Sequence, residues 1–328
     1  MPALRPVVPA LTIALLLAGC SPTEPSVEPA PVLLVLPEQA DEATARTAGA
    51  LEAYVEQIAG KPPRVVRLGE TGMDAIVAES ARTRAALALV LEAEALVPER
   101  FDADRLAALD TYGFALDVSD EGTHRDLFGA AGTTVMLAAG AGRLGRQYAA
   151  YEALRRLGAR FYHPEEEYVP RLPDAQLRER ARTPTVLHRK GADYVADFYW
   201  RTWSFHLPHP LEHLEAFSDG DFPIDEAVRV NDWIVKNKGN RFRGPGRGVA
   251  GPEAYQRRVD ELLQLRDLLG FPRGGGISLH NIQQGGKPDI DPDSGVPVKQ
   301  QIEALVARVF DEIPDLDYFG IHFGPTEL

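Results

Sequence analysis

Side chains able to act on a ligand gather in the second half of this 328-residue chain, each just past a short apolar run. Glu327 follows Tyr318 to Phe323. A carboxylate in that place can deliver a proton to a leaving oxygen, although a bare loop glutamate is equally a solvated surface charge. His280 and Asn281 follow Gly276 to Leu279, where an imidazole can bond a sugar hydroxyl or a uronate carboxylate, or simply pack at a strand end. Arg189 and Lys190 close the run from Val186, and the Arg189 fork suits a substrate carboxylate or a structural ion pair. Asn240 and Arg243 bracket Arg241 and Phe242. Trp200 and Trp203 stand with Tyr194, Phe198, Tyr199 and Phe205 in an aromatic-rich stretch, whose rings can stack on sugars or cap a core.

The elements that must position these groups read as α/β. Val32 to Leu36 predicts a strand, and Asp41 to Ala59 a helix with Leu51, Tyr54, Val55 and Ile58 at helical spacing, closed by Gly60 and two prolines. Val65 to Leu68, Ala75 to Ala78, Leu87 to Leu91, Phe114 to Val118 and Thr133 to Ala138 read as further strands, although the Ala-rich 81–97 region suits a helix equally. A helix from Arg143 to Leu157 ends at Gly158, and a strand from Arg160 to Tyr162 stops before Pro164. Residues 32–175 thus form one α/β domain, and the polar 171–183 stretch with Pro173 marks a boundary near Pro184.

Beyond it, strands at Val186–Arg189, Arg241–Phe242, Gly276–Leu279 and Tyr318–Phe323 alternate with helices at Asp225–Lys236, Pro252–Leu269 and Val298–Phe310. That rhythm predicts parallel strands with helical crossovers, the first half of a (β/α)8-type barrel over residues 184–328. The groups named above then lie at the C-terminal ends of successive strands, where barrels place their chemistry.

The N-terminal residues predict export. Arg5, the apolar run Val7 to Leu17 and the small Ala18 and Gly19 have signal-peptide proportions. Leu17-Ala18-Gly19-Cys20 resembles the lipobox of bacterial lipoproteins, which implies cleavage after residue 19, acylation of Cys20 and anchoring to a bacterial membrane, facing the periplasm or the cell surface. Residues 20–31 then form a Pro-rich tether. Cys20 is the single cysteine, so neither an internal disulfide nor a cysteine-rich metal site can form. A net charge of −13 argues against nucleic acid as a partner.

Two further patterns invite other chemistry. Gly140-Ala-Gly142-Arg-Leu-Gly145 matches the dinucleotide fingerprint, with Glu165 to Glu167 about twenty residues on. Its late place in the domain and the absence of a twin-arginine export signal favour a structural use of the glycines, so no cofactor is expected. His206, His209 and His213 fall close together, but Pro208 and Pro210 break any helix that would align them, so no metal is expected either.

Residues 133 to 170, with Arg143-Leu-Gly-Arg-Gln-Tyr148-Ala-Ala-Tyr151-Glu-Ala-Leu154 and Gly158-Ala-Arg160-Phe-Tyr-His163-Pro164 at their centre, resemble the end of the accessory α/β domain that precedes the barrel in α-glucuronidases and related glycoside hydrolases. Asp232-Trp233 through Lys238-Gly239-Asn240 resembles the helix leading into the second barrel strand, and Gly275 to His280 and Asp317 to Glu327 resemble the third and fourth strands. The resemblance implies a glycoside hydrolase-like protein acting on a polysaccharide or oligosaccharide, one containing uronic acid among them, with Glu327 as general acid; the predicted strand ends and the aromatic stretch add Arg189, Trp200, Trp203, Asn240, His280 and Asn281 as expected substrate contacts. Thr326 stands where acetamido-assisted hexosaminidases carry an aspartate, which argues against that chemistry. A second carboxylate is not visible, so the sequence is expected to be a fragment of a longer enzyme, or else a non-catalytic carbohydrate-binding lipoprotein.

Overall fold

A computed structural model describes residues 29–69, 72–118, 132–183, 193–202, 214–244, 251–278, 291, 293–312 and 316–322. Its centre is a six-stranded mixed sheet in the order β2-β1-β3-β5-β4-β8. These strands are β1 (Val32–Pro37), β2 (Arg64–Leu68), β3 (Leu87–Val90), β4 (Phe114–Val118), β5 (Thr134–Gly140) and β8 (Asp193–Tyr194). The four from β2 to β5 in that order pair parallel, while β4 runs antiparallel to both β5 and β8.

β1 is apolar and buried throughout because both of its faces are covered. Val32, Leu34 and Leu36 face a core shared with α1 (Glu42–Ala59) and α5 (Arg143–Arg156), while Leu33 and Val35 face one built with Ile76, Leu96 and Phe101. Asp41 caps α1 by accepting the Thr44 N–H at 2.7 Å, and Gly60 ends it in the left-handed conformation.

Residues 75–78, expected as a strand, lie inside helix α2 (Gly72–Thr83). Parallel β2 and β3 need a crossover between them, and the buried residues Ile76, Ser80 and Thr83 keep helical spacing. Two short helices, α3 (Ala93–Leu96) and α4 (Ala103–Ala108), connect β3 to β4. The hairpin β6 (Arg160–His163) and β7 (Glu166–Tyr168) follows α5. The polar stretch read as a boundary holds α6 (Asp174–Arg182), which seats Leu177 and Ala181 in the core.

The later helices α7 (Asp225–Lys236) and α8 (Pro252–Leu269) keep their expected limits. Phe242, expected in a strand, is not in one: the backbone of residue 243 exchanges hydrogen bonds with the Asn231 amide instead of a neighbouring strand. β9 (Gly274–Ser278), α9 (Val298–Glu312) and β10 (Tyr318–His322) make one βαβ unit, with β9 and β10 parallel.

The first core continues without interruption from Val32 to Phe271. Trp233 donates to the Phe161 carbonyl at 3.2 Å, Gln147 donates to the Leu269 carbonyl at 2.8 Å, and Lys236 bonds both Glu167 and the Tyr54 hydroxyl at 2.6 Å. Helices α7 and α8 therefore sit directly on α5 and α1. No helix among the described residues is long and apolar enough to cross a membrane.

Candidate functional site

The fingerprint glycines serve backbone contact. A Cβ on Gly145 would fall 2.3 Å from the Gly113 carbonyl oxygen, and one on Gly140 would fall 2.2 Å from the Arg146 nitrogen. The turn before β4 thus lies against the start of α5, and neither glycine position has room for a side chain.

A second polar cluster sits at the C-terminal ends of β1 and β3, a customary ligand crevice in open α/β sheets. Arg146 fills it, contacting Asp41 at 2.8 Å, Glu92 at 3.1 Å and Glu94 at 2.5 Å. Burial holds the Glu92 and Glu94 carboxyls above their ordinary range, and the guanidinium opposes it. Among the described residues no group of three His, Cys, Asp or Glu is placed to hold a metal ion.

The exposed chemistry lies elsewhere, on the segment that leaves the sheet after β8. Phe198, Tyr199 and Trp200 are 76%, 52% and 41% exposed. Consecutive large aromatic rings in water are costly unless something holds them there or covers them in use.

What holds them is the loop after α7. Asn240 is fully buried; its Oδ1 accepts the Arg201 N–H at 2.7 Å, its Nδ2 donates to the Tyr199 carbonyl at 2.5 Å, and its own N–H donates to the Arg201 carbonyl at 3.0 Å. The Arg201 side chain returns the contact, donating from Nε to the Lys238 carbonyl at 2.5 Å and from Nη1 to the Phe198 carbonyl at 3.0 Å. One residue on, the Gly239 carbonyl accepts the Tyr148 hydroxyl of α5 at 2.6 Å.

The rings form a chain. Tyr199 meets Tyr112 edge to face at 5.5 Å and Trp200 at 4.9 Å, Trp200 meets Tyr318 at 4.9 Å, and the Arg241 guanidinium lies 5.3 Å from the Tyr318 ring centre. Burial, joined by the Tyr199 contact, pushes the Tyr112 hydroxyl well above the ordinary phenol value. The platform therefore presents partly exposed aromatic rings and a cation, and the Asp317 carboxylate, one residue before β10, also acts on Tyr112.

Beneath it the Lys238 ammonium lies 2.6 Å from Glu152 of α5, and both side chains are out of water. Burial lowers the Lys238 pKa to about 8, and the Glu152 carboxylate opposes the shift.

Of the expected site residues, Trp200 and Asn240 come together. Trp200 displays its ring, while the Asn240 amide, expected to touch substrate, is used entirely on the backbone of its neighbours. Arg189, Lys190, Trp203, Phe205, His206, His209, His213, His280, Asn281, Glu327 and Cys20 lie outside the described residues. Arg201, Arg241, Tyr318 and the Glu152–Lys238 pair were not singled out by sequence. An arginine directly after the aromatic run was the available signal for the first; the others come together only in three dimensions.

Trp200 meets β10 at Tyr318, its first residue, which pairs in register with Gly274, the first of β9. Both strands run away from the platform over about 13 Å at ~3.3 Å per residue. No family model matches the chain, and no curated protein matches its sequence.

Proposed function

We propose that this protein recognises carbohydrate at the bacterial cell envelope, as a lipid-anchored, glycoside hydrolase-like protein similar to the α-glucuronidase group. In this reading the six-stranded sheet belongs to the accessory domain, and β9, α9 and β10 are part of a (β/α)8-type barrel, with Glu327 as general acid beyond β10. The carrying observation is the display of Phe198, Tyr199 and Trp200 on a backbone locked by buried Asn240 and by Arg201. Pre-ordered aromatic faces suit the apolar faces of sugar rings, because the ordering cost is met before the ligand arrives.

A second reading, a carbohydrate-binding lipoprotein without chemistry, is favoured by the position of Trp200 at the starting end of β9 and β10. Barrel chemistry belongs at the opposite end.

Turnover of a panel of aryl glycosides by the full chain and its Glu327→Gln variant separates the two. General acid catalysis predicts a loss of about a hundredfold or more in the variant. Equal turnover removes Glu327 from the mechanism. Retained polysaccharide binding without turnover selects the second reading, and absence of both ends the proposal.

A further inference from the structure

We propose that the buried Glu152–Lys238 ion pair is the positioning element of the aromatic platform, fixing residues 238–240 to α5 so that they hold Tyr199 to Arg201 in place. The inference rests on the platform reading above for its functional meaning.

The end of helix α7 breaks a local rule. Helix α7 closes with the Lys238 N–H bonded to the Val235 carbonyl and the Gly239 N–H bonded to the Ile234 carbonyl, both at 2.8 Å. That double closure puts its first turn residue in the left-handed conformation, where glycine is the usual choice. Here the position belongs to Lys238, with φ +61°, and the glycine comes one residue later. A strained conformation in a side-chain-bearing residue persists only where its surroundings dictate it.

The surroundings are specific. Lys238 is 5% exposed, its ammonium lies 5.7 Å from the Phe114 ring centre on β4, and Glu152 on α5 is 0% exposed. Arg155 of α5 and Arg201 of the aromatic segment also act on the ammonium, both as cations. Glu152 pairs with Lys238 at 2.6 Å, and the ammonium cannot drift from it without losing that counter-charge in the interior. Backbone anchored this way gives consecutive carbonyls fixed partners: that of Lys238 meets Arg201, that of Gly239 meets the buried Tyr148 hydroxyl, and the Asn240 clamp is next in line. A lysine where glycine is the local preference gains its place through this long-range contact.

Amide hydrogen exchange resolved to single residues tests the proposal on the full chain. The variant Glu152→Gln/Lys238→Gly removes both charges together and supplies the residue the helix end prefers. Glu152→Gln/Lys238→Met removes the charges while keeping the buried volume, so a foldable protein is available if the first variant is too open. The readout is the acceleration of exchange at the Arg201 and Asn240 amides divided by that at the core amides of Leu34 and Leu137. A ratio of tenfold or more in whichever variant folds is expected; a ratio near one in both, with platform and core changing together, overturns the positioning role. Because no saccharide enters the measurement, a failure here is separate from a failure of carbohydrate binding. Where binding is present, the variant with the raised ratio is also expected to bind saccharide at least fivefold more weakly.

Discussion

The side chain of Asn240 accepts the backbone N–H of Arg201 at 2.7 Å while its own backbone N–H donates to the Arg201 carbonyl at 3.0 Å. This reciprocal pair joins the loop after α7 to the exposed aromatic segment, and its Asn240 end is fully buried. Replacing Asn240 by Ala deletes the amide and leaves the Arg201 N–H and the Tyr199 carbonyl without their partner. We expect a loss of about 1–3 kcal/mol in urea unfolding for the orphaned groups, together with weaker saccharide binding. An Asn240→Ala protein with unchanged unfolding midpoint and affinity contradicts the clamp.

The Lys238 pKa sets a pH dependence of known sign. In the unfolded chain the ammonium keeps its proton to about pH 10.5, and in the fold it releases it near pH 8. Between those values the unfolded state binds more protons, so stability from this group rises with pH, by at most about 1.4 kcal/mol per unit. Buried Tyr148 and Tyr151, whose hydroxyls burial holds above their ordinary value, act in the opposite direction above about pH 10. Urea unfolding of the wild type and of Glu152→Gln/Lys238→Met from pH 7.5 to about 10 measures the effect. The wild type is expected to gain stability relative to the variant as pH rises; parallel curves contradict the assignment.

Lipid attachment at Cys20 is tested by radiolabelled palmitate in a bacterial host. Label is expected in the full chain and absent from Cys20→Ser, which should also leave the membrane fraction. Equal labelling of the two proteins, or none in either, removes the anchor.

Much of the fold was legible in the sequence where local signals agree. Helix α8 begins with Pro252 after Gly251 and ends at Gly270, and its limits follow from those residues alone. The failures are equally physical. Four apolar residues at 75–78 suit a strand or a helix, and only the need to cross between parallel β2 and β3 decides the matter. Helix α6 buries too little, Leu177 and Ala181, to stand out from its arginines, and β8 is two residues long. At the site, the aromatic residues were visible as types. The role of Asn240 was not, since an amide reads alike whether it meets a ligand or a backbone. The Glu152–Lys238 pair joins two helical regions distant along the chain, and no spacing rule connects them.

The central claim is that Trp200 and its neighbours form a carbohydrate-binding platform. Affinity electrophoresis of the wild type and Trp200→Ala through gels carrying plant and bacterial polysaccharides tests it most directly, alongside thermal melts of both proteins. At least one polysaccharide should retard the wild type, and Trp200→Ala should bind it about tenfold more weakly, a loss of ~1.4 kcal/mol, in a protein that still melts cooperatively. Equal retardation of the two proteins on every polysaccharide that slows the wild type, or no retardation of the wild type on any, contradicts the account.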